Sequence, residues 1–405
     1  MASKRKKTEK SYPLANIKVV GIGGGGGNMI SRMSRDFFKG VDFVAINTDH
    51  QDLDQCTAKH KIYIGRNLTR GLGTGMNPEI GRQAAEENRS DIAEAMKGAD
   101  LIFIAAGLGG GTGTGAAPIV AEAAKQTGAL TLAFVTKPFA FEGSQRDRIA
   151  QEGLVKLRDK VDALIMVPND RIFSIISRET PIIKAFEAID DVLKNALRGI
   201  VELIVSPGII NVDFADIKTV IQDAGSAIVG MGIASGQDRA ISAVNQALNS
   251  PLLEVSPDGA KGIVLGISGR DLKMNEIHEA AKLVAQTADP SARIIFGAYY
   301  DRRLRAKQLK VTLIATGFNS AGGQVSTLFN RFKEDQKEAF FEHAEVKGTG
   351  IPGISPVPPK IAPATSGITI DEFSPKGFVP VKEDKKKKES GDMWDIPTFL
   401  RKRKR

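Results

Sequence analysis

Five glycines and two threonines fill the positions Gly109-Gly110-Gly111-Thr112-Gly113-Thr114-Gly115, directly after the apolar run 101–106. A short apolar run closed by glycine reads as a buried strand, and the alanine-rich segment 116–126 that follows reads as a helix. A strand-to-helix turn made almost wholly of glycine leaves its backbone N–H groups uncovered. With two added hydroxyls it forms a nest of donors at a helix N-terminus, which is a site for an anion. A second run, Gly21-Ile22-Gly23-Gly24-Gly25-Gly26-Gly27-Asn28, has the same setting. It follows the apolar run 17–22 and opens a helical pattern carried by Ile30, Met33, Phe37 and Phe38. Two such loops in one chain predict a nucleotide held by its phosphates. Gly24, Gly25, Gly26 and Asn28 are the candidates in one loop, and Gly111, Thr112 and Gly113 in the other. A third segment, residues 71–78, also enters a helix, at Pro78, and is suited to close over a terminal phosphate.

The spacing of apolar runs gives the fold class. Strands are expected at 17–22, 41–47, 61–64, 101–106, 129–135 and 163–167, with helical patterns between them, one of them running from Pro78 through Ala84, Ala85, Ile92 and Ala95. Strand–helix alternation implies a doubly wound, mostly parallel α/β sheet with right-handed crossovers. A long helix is expected over 181–205, apolar on several faces and therefore buried. Beyond it, strands at 228–234, 262–267, 293–299 and 309–316 with helices at 238–248 and 274–288 predict a smaller α+β domain with one four-stranded sheet. The expected organisation is a disordered basic N-terminus (1–14), a nucleotide-binding domain (15–180), the central helix (181–206) and the second domain (207–320). A flexible linker (321–391), rich in Pro, Gly, Ser and Lys, and a terminal peptide (392–405) follow.

Charge excludes less than it suggests. The net charge is +9, but thirteen positive charges sit in three clusters, residues 4–7, 385–388 and 401–405, leaving the rest of the chain at −4. Basic ends of this kind attract acidic surfaces without making the folded body a nucleic-acid reader, so no nucleic acid is required. One cysteine, Cys56, cannot form an internal disulfide, and four scattered histidines show no metal-ligand spacing. No run of 18 apolar residues suggests a membrane span, and the basic N-terminus lacks the apolar stretch of a signal peptide. A cytoplasmic setting is expected.

Gly21, Gly23 and Gly26 satisfy G-x-G-x-x-G, and Asp49 closes the next strand, as in a dinucleotide fold. An NAD-dependent oxidoreductase is therefore the alternative. Against it stand the second glycine loop, which such a fold does not need, and the absence of a convincing catalytic His or Cys. Neither loop is followed by Gly-Lys-Ser/Thr, so neither is a P-loop. Amides, helix dipoles and Mg²⁺ are left to neutralise the phosphates.

Residues 109–115 match the G-G-G-T-G-[ST]-G signature of the tubulin and FtsZ superfamily, and 21–28 resembles its first phosphate loop. Asn47-Thr48-Asp49, Lys137-Pro138-Phe139 with Phe141-Glu142-Gly143, and Asn211-Val212-Asp213-Phe214-Ala215-Asp216 follow in the order and spacing of its bacterial cell-division branch, over roughly residues 15–320. Thr74 and Met76 depart from it, standing where alanines are usual. The resemblance implies a GTPase that binds GTP and GDP and polymerises head to tail into the cytokinetic ring. It points to Glu142, Arg146, Asn169, Phe186 and Asp191 for the base and ribose. Phe186 suits stacking on a purine, Asn169 and Asp191 suit guanine's N1–H and amine, and Glu142 suits sugar hydroxyls.

Read from the residues alone, Asp213 and Asp216 lie three apart at a helix start, where capping explains them as well as catalysis does. The resemblance implies that Asn211, Asp213 and Asp216 complete the active site of the adjacent subunit, orienting water at its terminal phosphate. A non-hydrolysing scaffold is a third reading. The closing peptide Asp395-Ile396-Pro397-Thr398-Phe399-Leu400 resembles the branch's partner-binding motif, implying membrane-tethering adaptors among the division proteins it binds at mid-cell. The basic residues after it suit weak contact with anionic lipid.

Overall fold

The computed structural model describes residues 15–34, 40–177, 179–206, 208–250 and 256–317. The expectations for the basic N-terminus, for Phe37 and Phe38, for the linker and for the terminal peptide fall outside these residues.

The first half is a strand–helix succession. β1 (Ile17–Ile22) leads into α1 (Gly23–Met33), and β2 (Val41–Asn47) into α2 (His50–Gln55), followed by β3 (His60–Tyr63). Three helices then run consecutively, α3 (Arg66–Thr69), α4 (Pro78–Glu87) and α5 (Arg89–Met96). β4 (Leu101–Gly107), α6 (Thr112–Gln126), β5 (Leu130–Lys137), α7 (Ser144–Arg158) and β6 (Ala163–Pro168) complete it. The strand order is β3-β2-β1-β4-β5-β6, all parallel. The inner strands are largely apolar because both faces are covered, whereas the edge strand β3 exposes His60 and Lys61. In β1, Ile17 and Val19 enter one core and Val20 and Ile22 the other. In β4 the same alternation sends Phe103 one way and Ile102 and Ile104 the other.

The second half begins with α8 (Ile182–Val205), then β7 (Gly208–Ile210), α9 (Phe214–Ile221), β8 (Gly225–Ser235) and α10 (Arg239–Leu248). β9 (Gly262–Gly269), α11 (Met274–Thr287), β10 (Arg293–Tyr300) and β11 (Gln308–Thr316) follow. The four expected strands are β8 to β11, ordered β8-β11-β9-β10, with β7 added at the edge. They do not form a separate sheet. β8 pairs in parallel with β6 at Ala163–Gly225, Leu164–Ser226 and Ile165–Ala227, giving one mixed, mostly parallel eleven-stranded sheet.

Two further expectations change. The helix expected through Pro78 and Ala95 breaks at Asn88, whose φ of −110° and ψ of 25° leave the helical region. Its side chain is drawn away to accept a hydrogen bond from the Gly65 N–H at 3.0 Å. α8 is not buried all round. Ile189, Leu193, Leu197, Ile200 and Val201 enter the core, while Lys184, Asp191 and Asn195 are exposed. Among the described residues no helix is long and apolar enough to cross a membrane.

Close backbone packing seats the loops against one another. A Cβ on Gly115 of α6 would lie 1.9 Å from the Pro78 carbonyl oxygen, and one on Gly81 of α4 would lie 2.4 Å from that of Gly111. Any side chain at either position would push α4 away from the first turn of α6. The contact brings the third glycine loop, which leads into α4, up to the second.

Candidate functional site

The chain runs β1, β2, β3 to one side and then returns to place β4 on the other side of β1. Ligands bind doubly wound sheets at such a switch point, beyond the carboxyl ends of the strands. The register pairs Ile22 with Ala106, so the two glycine loops leave neighbouring strands at the same level. They touch: a Cβ on Gly23 would come within 3.0 Å of the Gly113 nitrogen, and one on Gly25 within 3.4 Å of the Gly107 Cα.

The first glycine run is not a loop ahead of a helix. Gly23 to Gly27 are the opening turn of α1 itself, entered through Gly23 at φ +67°. α1 and α6 have no side-chain cap and no acidic residue in their first turns. By contrast, α2, α4 and α9 are capped by Asp49, Asn77 and Asp213. Each uncapped helix end carries unpaired N–H groups and about half a positive charge. Two of them converge here with no acid in the first turn of either, which is the electrostatics of an anion site.

The glycines divide by role. A Cβ on Gly26 would meet the Ala105 carbonyl oxygen at 2.3 Å, and one on Gly21 the Gly26 oxygen at 2.4 Å, so these two let α1 lie on β1 and β4. Gly110, in contrast, has no atom of the described residues within 4 Å of a Cβ. Gly24 and Gly25 are more accessible than Gly26, and Asn28 is half-buried behind them. Gly111, Thr112 and Gly113 are buried at the head of α6. Sequence reasoning missed a line of hydroxyls there. Thr112 Oγ1 lies 2.6 Å from Thr48 Oγ1 and 3.3 Å from Thr74 Oγ1, joining three loops.

Asp49 is occupied as the cap of α2, its Oδ1 accepting from the Gln51 and Asp52 amides at 3.0 and 3.2 Å. That role accounts for it without a dinucleotide ribose.

The residues expected around base and ribose stand in the turns after β5 and β6, on α7 and on α8. Glu142 accepts from the Phe139 amide at 3.0 Å and pairs with Arg146 at 2.6 Å. Phe186 packs edge-on against Phe139, ring centroids 5.4 Å apart, while Phe141 stacks on Phe139 at 4.7 Å. Asn169 opens the turn after β6. It is buried, and its Oδ1 has no hydrogen-bond partner among the described residues. An unsatisfied buried acceptor costs about 1–3 kcal/mol, which a ligand donor would recover.

Asp191 is exposed. Its neighbour Asp190 is four residues from Phe186, and residues four apart share a helix face. Asp190 is ion-paired with Arg32 of α1. The acid beside the aromatic face is therefore Asp190, and the i, i+4 spacing in the sequence was the signal that could have found it.

The acidic segment lies elsewhere. The Asn211 Oδ1 accepts from the Gly208 amide at 2.6 Å, and Asp213 caps α9 through the Ala215 amide at 3.1 Å. The Asp216 side chain is exposed and has no partner among the described residues. This segment is anchored at the far end of α8. Tyr299 donates to the Leu203 carbonyl at 3.0 Å, and a Cβ on Gly297 would stand 2.8 Å from Val212. Burial pushes the Tyr299 hydroxyl up to about 12, so it stays a donor. Glu202, also on α8, pairs with Lys310 and Arg303. Leu203 is thirteen residues beyond Asp190, about 20 Å along the helix at 1.5 Å per residue.

Two family models match the chain: "Tubulin/FtsZ family, GTPase domain" over residues 16–177, and "FtsZ family, C-terminal domain" over 225–319. Among solved structures, an empty FtsZ dimer from M. jannaschii is 47% identical, with 76% of this chain and 89% of that chain covered and a TM-score of 0.71. CetZ2 from Haloferax volcanii, a GTPγS-bound protofilament, is 22% identical over 80% of this chain and 99% of its own, with a TM-score of 0.67, a likeness of fold. Paired glycine loops at the switch point, the family matches and the identity to FtsZ agree: the chain belongs to the tubulin/FtsZ family of cytoskeletal GTPases.

Proposed function

We propose that this GTPase polymerises head to tail, that each active site is completed by the next copy, and that the filaments form the cytokinetic ring of prokaryotic cell division. The observation that carries the reading is the separation of the two half-sites. Asn211, Asp213 and Asp216 are held at the end of α8 remote from the Arg32–Asp190 pair, about 20 Å along its axis. They do not serve the chain's own phosphates, yet Asp216 is exposed without a partner among the described residues. Two unlike surfaces on opposite ends of one rod make a heterologous contact, and repeating it gives a filament. The M. jannaschii relative is described as a dimer.

GTP sits with its phosphates on Gly24, Gly25, Gly26, Gly111, Thr112 and Gly113, and Asn28 beside them. Its guanine lies against Phe186 with Asn169 and Asp190 as acceptors, and its ribose near Glu142 and Arg146. Residues 71–76 cover the terminal phosphate. Asp213 and Asp216 of the adjoining copy, with Asn211, orient the attacking water. Among the described residues no group of three or more His, Cys, Asp and Glu is placed to hold a metal. Mg²⁺ would therefore be held by phosphate oxygens and water, neutralising charge. The terminal peptide, residues 392–405, docks on division proteins, membrane-tethering adaptors among them, at the mid-cell membrane, with anionic lipid as a weak further contact.

The test is GTP turnover across a range of protein concentrations, with sedimentation of filaments. Turnover per subunit should rise with concentration, and Asp216→Ala should retain GTP binding while losing at least about a hundredfold in turnover. Concentration-independent turnover, or full activity in Asp216→Ala, would remove the shared site.

A further inference from the structure

The hydroxyl line through Thr48, Thr112 and Thr74 connects elements that the sequence keeps far apart: the end of β2, the head of α6 and the third glycine loop. Thr74 is the member that departs from the family pattern. It is 7% exposed and reaches Thr112 at 3.3 Å. It also presses on the backbone beneath, since a Cβ on Gly111 would stand 2.0 Å from the Thr74 Oγ1. The loop around it is otherwise unfavourable to hold. Arg70, Gly71, Gly73, Gly75 and Met76 all have positive φ, and two of these are not glycine. Its other ties are at its ends: the Asp49–Leu72 bridge with the His50 amide to the Gly71 oxygen at 3.4 Å, and Asn77 capping α4. Between those ends the described contact from the loop to the phosphate helix is Thr74.

We infer that Thr74 is a latch that closes the third loop onto α6 before any nucleotide arrives. With alanine in its place, closure must draw on contacts with the terminal phosphate. With threonine, a hydroxyl of the chain stands in for part of them. Donor counting keeps the latched cluster compatible with a phosphate. Three hydroxyls supply three O–H protons, and two O···O contacts use two, so one donor remains for an incoming acceptor. A binding-competent loop that is already populated spares the ligand the cost of closing it. The latch thus favours GTP capture without altering GDP, which lacks the phosphate this loop covers. That second consequence rests on the proposed placement of the terminal phosphate.

The test is hydrogen exchange at residues 71–76 in the nucleotide-free, full-length chain, comparing wild type with the isosteric Thr74→Val and with Thr74→Ser. Thr74→Val removes one neutral hydrogen bond and should speed exchange about fivefold, and Thr74→Ser should leave it unchanged. Unchanged exchange in Thr74→Val would overturn the latch, and so would acceleration in Thr74→Ser as large as in Thr74→Val, since serine keeps the hydroxyl. In parallel, Thr74→Val should weaken binding of a non-hydrolysable GTP analogue about fivefold with GDP affinity unchanged. Failure of wild type to bind either nucleotide would count against the GTPase site itself, while the exchange measurement still judges the latch.

Discussion

Arg32 on α1 and Asp190 on α8 form an ion pair with side chains 15% and 13% exposed. The pair ties the helix that grows out of the first glycine run to the helix that carries Phe186. It also holds the Asp190 carboxylate on the Phe186 face, where the proposed site would have it accept guanine's N1–H and exocyclic amine. Replacing Asp190 by Ala should therefore reduce GTP affinity by roughly ten- to a hundredfold and erode discrimination against ATP, since hydrogen bonds to a charged group contribute about 1.5–3 kcal/mol. Asp191→Ala should leave both nearly unchanged. Calorimetric titration of the two variants decides between the adjacent acids.

Gly26 and Gly27 are neighbours in the same turn of α1 and should respond in opposite ways to alanine. At Gly26 the new methyl would sit 2.3 Å from the Ala105 carbonyl oxygen, so α1 must lift off β4, a cost of at least about 2 kcal/mol. At Gly27 no atom of the described residues lies within 4 Å of a new methyl, and alanine should stabilise the helix by about 0.5–1 kcal/mol. Urea melts of the two variants measure this directly. A stable Gly26→Ala would mean that the run is glycine-rich for ligand contact alone.

Met76 holds a left-handed backbone at φ +66° and is 36% exposed. A side chain there costs about 1–2 kcal/mol that glycine does not incur, partly offset by glycine's freer unfolded chain. Met76→Gly should therefore raise stability by roughly 0.5–1 kcal/mol. A fall in the denaturation midpoint would show that the Met76 side chain makes contacts worth more than the backbone strain.

Arg239 is 3% exposed and is held between Glu276 and Asp271 at 2.8 Å each. The guanidinium keeps both carboxyls below their ordinary values. A depressed carboxylate contributes stability that is complete above its unfolded pKa and is lost as pH falls through its folded one. Arg239→Met should therefore lower stability by roughly 3 kcal/mol near neutral pH, where it leaves a half-buried carboxylate unpaired. The gap to wild type should narrow as pH drops below about 4, once the carboxyls are protonated in both folded proteins. Thermal melts from pH 3 to pH 8 follow this. A gap that is constant across the range would assign the loss to packing.

The strands were legible because burial on both faces leaves few polar positions to blur them, Lys18 in β1 and Asp42 and Asn47 in β2. The runs at 17–22 and 41–47 are β1 and β2 to the residue. What the sequence concealed depends on residues distant along the chain. The break at Asn88 comes from a bond to Gly65, 23 positions earlier, and the Thr48–Thr112 contact spans 64. The glycines of the two loops read in the sequence as room for phosphate. The structure adds at Gly21, Gly26 and Gly115 the close approach of backbones, a requirement that leaves the same letter in the sequence. Asp190 was missed for a different reason. Two adjacent acids look alike in composition and differ by 100° around a helix, so only the register with Phe186 separates them.

The length of α8 has a counting consequence. With the phosphate loops near one end of it and the acids beyond the other, the proposed head-to-tail row of n copies would contain n − 1 finished sites. One terminal copy would keep a nucleotide that no neighbour could hydrolyse, and the opposite terminal copy would keep acids with nothing to act on. A dimer would run at half its capacity and a long row near all of it, so breaking filaments without changing their total mass would slow GTP consumption in proportion to the number of new ends.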